Sequence, residues 1–277
     1  MTEEIVVAPA AEIDPQVAAE WIGRWDAQQE GYVADREERF AVLADVVDAA
    51  VRDVAEPVVV DLGCGPGSLA ARLSARIPHA RFVGVDADPL LVGLARAHYG
   101  DVATWVLADL ADDAWADALP PTIHAAVSTT ALHWMDADQL AALYRTLAAR
   151  TAPGGVFANG DHLALADGGL TAVADEVRAG RAERARVRDR EDWQAWWDGI
   201  LADPRLDAVT AGRTRAASAH PEPDEQAGPE QIGQAQHHHG SNRLSVTDHA
   251  DLLRAAGYAA AGPVWQSGED HVLVGLR

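Results

Sequence analysis

Carboxylates close three successive short apolar runs in this 277-residue chain, and a cluster of glycines follows the first of them. Asp61 ends the run that begins at Val58, Gly63, Gly65 and Gly67 come next, and Ser68 opens a helical stretch. Glycines at such a turn permit positive φ and let a ligand approach the backbone closely. The spacing is G-x-G-x-G rather than the G-x-G-x-x-G of a dinucleotide turn, and no G-K-S/T is present. A nicotinamide dehydrogenase and a Walker phosphate loop are therefore excluded. A carboxylate ahead of the turn suits a ligand with an ammonium group better than a diphosphate. Asp86 ends the second run and can take both hydroxyls of a ribose. Asp109 follows the third run, within reach of an adenine amine.

The elements that must position these acids alternate. Strands are expected at Val58–Val60, Arg81–Val85, Thr104–Leu107, Ala125–Ser128 and Gly155–Asn159, with helices at 68–76, Pro89–Tyr99 and 137–150 between or behind them. Apolar strands joined by helical crossovers make a parallel, doubly wound sheet. Thr247–Ala256 is a further helix, and Ala259–Trp265 with His271–Leu276 forms a closing antiparallel hairpin. Outside this frame lie two N-terminal amphipathic helices, 17–30 and 36–53, and helices across 169–215. A Pro-, Gly- and Gln-rich loop covers 221–240. The division expected is an N-terminal arm and helical lid at 1–56 and an α/β core at 57–160. A helical substrate-side insert with polar loop 221–245 occupies 161–245, and 246–277 completes the core.

An ammonium, a ribose and an adenine are the parts of S-adenosylmethionine. The chain resembles the class I S-adenosylmethionine-dependent methyltransferases, small-molecule branch, through VVVDLGCGPG (58–67), GVDADP (84–89), VLADL (106–110), VSTTALHWM (127–135), APGGVFA (152–158) and LLRAAGY (252–258). The resemblance covers roughly 57–160 and 246–277. It implies a Rossmann-like seven-stranded sheet, the last strand antiparallel beside the fifth, with a helical insert between the fifth and sixth strands. It also implies that Gly63 and Gly65, with Cys64 between them, line the methionine moiety. Asp86 with Ala87 holds the ribose, Asp109 and Leu110 flank the adenine, and Ser128 and Thr129 meet the methionine end. Asp61 joins them as the carboxylate before the turn.

Methyl transfer from a sulfonium needs an in-line nucleophile, and a base only where the acceptor must lose a proton. His133, after the fourth strand, could accept one, with an unperturbed pKa of about 6.5. Tyr32 is the second candidate for the chemistry. Trp25 and Gln28 share its N-terminal element, and Trp134 is expected to shape the pocket. Trp193 and Trp197 could form an aromatic wall or simply anchor the insert with Trp196. Trp265 is expected in the core. His237, His238 and His239 cannot all face one ion in a regular element, so no metal site is expected, although His238 could close over the acceptor. Cys64 has no base beside it and is expected to pack.

The 22 basic residues are all Arg, against 43 acids, for a net charge of −21. That charge disfavours nucleic acid as the main substrate. One cysteine excludes an intramolecular disulfide scaffold and a four-Cys zinc module. No 18-residue apolar run and no basic leader are present, so a cytoplasmic protein is expected. The Arg run at 178–190 alternates with Ala, Glu and Asp and reads as a solvated helix. The function expected is S-adenosylmethionine-dependent methylation of a small aromatic or heteroaromatic metabolite, in the manner of secondary metabolism. A small organic acid is another acceptor. RNA or protein methylation and a non-catalytic partner protein are the alternatives.

Overall fold

The computed structural model describes residues 12–34, 36–187, 189–210 and 242–277. Two helices come first, α1 (Pro15–Tyr32) and α2 (Arg36–Val51). The alternating core follows as β1 (Val58–Leu62), α3 (Ser68–Arg76), β2 (Arg81–Asp86), α4 (Pro89–Tyr99), β3 (Thr104–Leu107), β4 (Ile123–Thr129), α5 (Ala137–Arg150) and β5 (Thr151–His162). Next come α6 (Thr171–Ala185) and α7 (Trp193–Leu201). The core closes with α8 (Val246–Ala256), β6 (Ala260–Ser267) and β7 (Asp270–Leu276).

The seven strands form one sheet in the order β3-β2-β1-β4-β5-β7-β6. β1 pairs in parallel with both β2 and β4, while β7 lies antiparallel between β5 and β6. This is the expected Rossmann-like sheet with its inverted strand. The winding reverses between β1 and β4, and it is at the carboxyl ends of the strands at such a reversal that ligands bind in sheets of this kind. One sheet face packs Phe157, Leu140, Tyr144, Leu147 and Leu253 against α5 and α8. The other packs Phe40, Leu43, Val47, Leu69, Leu73 and Val92 from α2, α3 and α4.

Local signals explain the element ends. Asp88 caps α4 by accepting from the Leu90 amide at 2.8 Å, with Pro89 at the first helical position. Asp136 and Gln139 form a capping box on α5, and Ser245 and Asp248 form one on α8. β5 is longer than the sequence suggests: it starts directly from α5 at Thr151 and runs to His162. The extension carries Asp161 beyond the expected strand end.

The tryptophans sort by environment. Trp21, Trp196 and Trp197 are buried with Ile22, Leu90, Leu94 and Ile200 where α1, α4 and α7 meet. The Trp21 indole donates to Asp203 at 2.8 Å, and Trp196 stands edge-on to it. The insert is thereby docked on the N-terminal helices. Trp193 is exposed at the outer end of that cluster, 5.9 Å from the Trp197 ring. Two expectations are corrected. Trp265 is half-buried on the edge strand β6, not in the core, because β6 has a neighbour on one side only. The Arg run is not uniformly solvated, since Arg181 turns inward and is buried. Among the described residues no helix is long and apolar enough to cross a membrane.

Candidate active site

The glycine turn sits at the carboxyl end of β1, beside the reversal of winding. Gly63, Gly65 and Gly67 all have left-handed backbones, with φ of 65°, 53° and 88°. A Cβ on Gly63 would lie 2.4 Å from that of Ala131, so the glycine lets the β4 loop close against the turn. Asp61 is buried, and among the described residues neither of its carboxylate oxygens has a hydrogen-bond partner of normal geometry. Burial pushes its carboxyl up to about 7, with the Ala70 amide opposing and Asp86 adding to the shift. Burial also raises Asp86, to about 6, although it accepts from the amides of Asp88 and of Gly65, the latter at 2.8 Å. Asp109 is half-buried and accepts from the Ala111 amide at 2.8 Å, which orders the loop after β3 beside Leu110.

α1 lies over this end of the sheet. Trp25, Gln28 and Tyr32 share one of its faces by spacing. The Trp25 indole is the nearest group to the position a Gly65 Cβ would take, at 3.7 Å, and it stacks edge-on with Trp196 at 4.8 Å. Gln28 is buried, with its amide nitrogen unpartnered among the described residues. Asp26 pins the helix by accepting from Ser68 at 2.6 Å and from Arg36 at 2.8 Å. Although burial opposes it, those partners and Arg72 hold the Asp26 carboxyl below its ordinary range. The Tyr32 ring meets the His162 ring edge-on at 5.1 Å. Burial and then Asp161 push the Tyr32 phenol up to about 12, so it stays protonated near neutrality.

At the ends of β4 and β5 the structure joins His133 to Asp161. The His133 Nδ1 lies 2.9 Å and 3.1 Å from the two carboxylate oxygens. Burial opposes protonation of the imidazole, but Asp161 outweighs it and raises the His133 pKa above its ordinary value. Burial likewise opposes ionisation of Asp161, while His133 and Arg39 hold its carboxyl below the usual range. Trp134 is 58% exposed, its ring 5.1 Å from that of His133. The loop reaches His133 through Thr130, a β-branched residue at φ 54°, a strained conformation that costs on the order of 1–3 kcal/mol.

Beneath the loop lies a buried ionic cluster. Arg39 of α2 is fully buried and donates to Asp270 at 2.9 Å, to Thr129 at 2.9 Å and to Thr130 at 2.6 Å. Arg181 of α6 reaches the other Asp270 oxygen at 3.4 Å and the Ala34 carbonyl at 2.7 Å.

A family profile described as a methyltransferase domain matches residues 59–155. The chain is 36% identical over 195 residues to a trans-aconitate 2-methyltransferase of Streptomyces avermitilis, covering 68% of each chain. The chain belongs to the class I S-adenosylmethionine-dependent methyltransferases. A second relative of the same name, from Methylobacterium nodulans, is 32% identical over 62% of this chain and 66% of its own. In the Azoarcus relative, 37% identical, the match spans about half of each chain, 48% and 49%. In fold, the chain is similar to human N-acetylserotonin methyltransferase in complex with its cofactor. The TM-score is 0.50 at 15% identity, over 98% of this chain and 60% of that one. An O-methyltransferase family protein from Burkholderia thailandensis aligns with a TM-score of 0.51 at 16% identity, covering 95% and 70%.

S-adenosylmethionine is the cofactor of this methyltransferase family, and the residues present fit it. Asp61 carries the fit: it is a buried carboxylate that, among the described residues, has no hydrogen-bond partner of normal geometry, and an amino-acid ammonium group would supply the missing cation. Asp86, Asp109 and Leu110 stand at the ends of the next two strands, as a nucleoside requires, and Ala87 lies beside Asp86. Cys64 packs as expected: it is buried, its thiol donates to the Gly65 carbonyl at 3.6 Å, and burial lifts that thiol well above the ordinary range. The Ser128 hydroxyl is committed to the Leu62 carbonyl at 2.8 Å, and that of Thr129 to Arg39. Trp197 is 6% exposed within the α1–α7 cluster and Trp193 lies outside it. His238 and its neighbours lie outside the described residues. Sequence reasoning missed Asp161 and Arg39. An acid after the fifth strand was the available signal for the first. For Arg39 the signal was its place on the Phe40–Leu43–Val47 stripe of α2.

Proposed function

We propose that this protein transfers a methyl group from S-adenosylmethionine to an oxygen of a small organic acid. The observation that carries the acceptor class is the His133–Asp161 pair. Asp161 occupies Nδ1, so Nε2 is the atom left to offer a proton to the acceptor. A carboxylate is already ionised near neutrality and needs no base; it needs a charge-assisted donor to hold it. The relatives' name supports the reading, since trans-aconitate is an acid of this kind.

When bound, the cofactor supplies an activated methyl group on a sulfonium. In this reading Asp61 neutralises its ammonium, Asp86 takes the ribose hydroxyls, and Asp109 with Leu110 flanks the adenine. Gly63 and Gly65 let the backbone come close. His133 holds one acceptor oxygen so that the other lies in line with the methyl, and Trp25, Gln28 and Tyr32 cover the crevice and exclude water. One observation favours a second reading. The exposed Trp134 indole beside His133 offers a flat stacking face to a hydroxylated aromatic acceptor, for which His133 would act as base.

The test is incubation with methyl-labelled cofactor and a panel of di- and tricarboxylic acids and hydroxyaromatics, with mass identification of products. A labelled, base-labile methyl ester of an acid is expected. Labelling confined to hydroxyaromatics, or of neither class, contradicts the proposal.

A further inference from the structure

We propose that Arg39 is a positioning residue: from α2 it clamps the strained loop after β4 and so holds His133 on Asp161. This rests on the role given to His133 above, but its test does not depend on the acceptor.

The β4 loop folds into a short 3-10 turn at Leu132–Trp134 with Leu132 buried, and the strain lies at its entry. Thr130 sits in a left-handed backbone that a β-branched side chain rarely adopts. Its amide bonds to the Gly160 carbonyl at 3.0 Å, and its hydroxyl and that of Thr129 both accept from one Arg39 nitrogen. A planar guanidinium can meet two hydroxyls and a carboxylate together, whereas an ammonium is a single point charge. Gly160 makes the passage: a Cβ there would come 3.0 Å from the Arg39 Cδ, and the stem of Arg39 lies across the bare glycine. Asp270 fixes the far side of the guanidinium and is shared with Arg181.

The loop held in this way sets two contacts at once. Ala131 comes against Gly63 of the cofactor turn, and His133, two residues further on, reaches Asp161. Asn242 steadies the other end, its amide donating to the His133 carbonyl at 2.8 Å and its side chain to that of Met135 at 2.9 Å. Because Arg39 comes from the N-terminal helices and Arg181 from the insert, the geometry of the His133 loop depends on both being docked.

The charged groups acting on His133 are Asp161 from β5, which raises its pKa, and Arg39 from α2, which lowers it. The two roles open to Arg39 therefore have opposite signatures. If Arg39 acts only through its charge, Arg39→Met leaves His133 on Asp161 and raises its pKa further. Arg39→Lys, which keeps the charge, then leaves it unchanged. If Arg39 positions the loop, both variants let His133 leave Asp161, and its pKa falls toward the ordinary value of about 6.5. The measurement is a carbon-13 NMR titration of the histidine rings in the full chain, with His133→Ala assigning the resonance. A fall in both folded variants is expected, along with about a tenfold loss of kcat/KM. Adding Thr130→Gly, which removes the strain, should restore the elevated pKa in the Arg39→Lys background. An unchanged or higher His133 pKa in folded Arg39→Lys overturns the proposal, and so does failure of Thr130→Gly to restore it.

Discussion

An Asp270→Ala variant is expected to lose about 3–5 kcal/mol of stability, because it strips the anion from two inward-facing arginines. Asp270 is 2% exposed, Arg39 is fully buried and Arg181 is 8% exposed, so water cannot replace the lost charge cheaply. The carboxylate also joins three parts of the chain: α2, the insert helix α6 and the first residue of β7. For a chain of this size the midpoint of thermal unfolding should drop on the order of 10 °C. Asp270→Asn, which keeps the shape without the charge, should fall between. Replacing all three members with apolar residues of similar volume should regain most of the loss, since a buried ionic cluster fixes geometry more than it adds stability. Thermal denaturation followed by circular dichroism checks the series. A melting point for Asp270→Ala within about 2 °C of wild type would show that the cluster is solvated and adds nothing to stability.

The second large effect is expected at His133. If its imidazolium holds the acceptor carboxylate, His133→Ala loses a charge-assisted hydrogen bond of about 1.5–3 kcal/mol, or roughly 10–150-fold in kcat/KM. The loss should appear mainly in KM for the acid, with cofactor affinity little changed. The pH profile fixes the sign. Asp161 raises the His133 pKa, so the charged imidazole, and any stability it contributes, persists above its ordinary value and is lost as pH climbs through the raised one. Activity on an acid should decline across that same interval, and Asp161→Asn should move the decline to lower pH. A hydroxyaromatic acceptor would give the reverse slope, with activity rising as His133 deprotonates. A His133→Ala enzyme with undiminished kcat/KM would remove the residue from the reaction.

The sheet and cofactor end were legible because each signal was local. Asp61 with three glycines, then Asp86 and Asp109 at strand ends, are patterns within a few residues, and the alternation of elements supplied the order. The acceptor end was harder to read. The clamp on the β4 loop joins Arg39 to Thr130 across 91 positions and to Asp270 across 231. The apolar stripe of α2 hints that Arg39 faces inward, but it does not say which residues Arg39 meets there. The tryptophans were ambiguous for the same reason. Their spacing allowed an acceptor wall or an anchor for the insert, and Trp196 and Trp197 serve as the anchor, packing with Trp21 between α1 and α7. Trp25 alone among those helical indoles reaches the glycine turn. Ser128 and Thr129 have the residue types of ligand contacts, but their hydroxyls are spent on the Leu62 carbonyl and on Arg39.

On the proposed function the buried Asp61 receives the ammonium of S-adenosylmethionine, and calorimetric titration of that cofactor across pH is the direct test. Burial raises the Asp61 and Asp86 carboxyls to about 7 and about 6. Their contribution to the stability of the ligand-free fold is therefore present at low pH and lost as pH rises through those values. A bound cation reverses this by favouring the ionised carboxylate. Binding is accordingly expected to be tight at about pH 8 and to weaken by roughly tenfold per pH unit below the Asp61 pKa, with protons released on binding across that range. Asp61→Asn should bind weakly at every pH and lose the slope between about pH 7 and 6, leaving below it only that of Asp86. No binding of S-adenosylmethionine at about pH 8, or equal affinity in Asp61→Asn, would contradict the account.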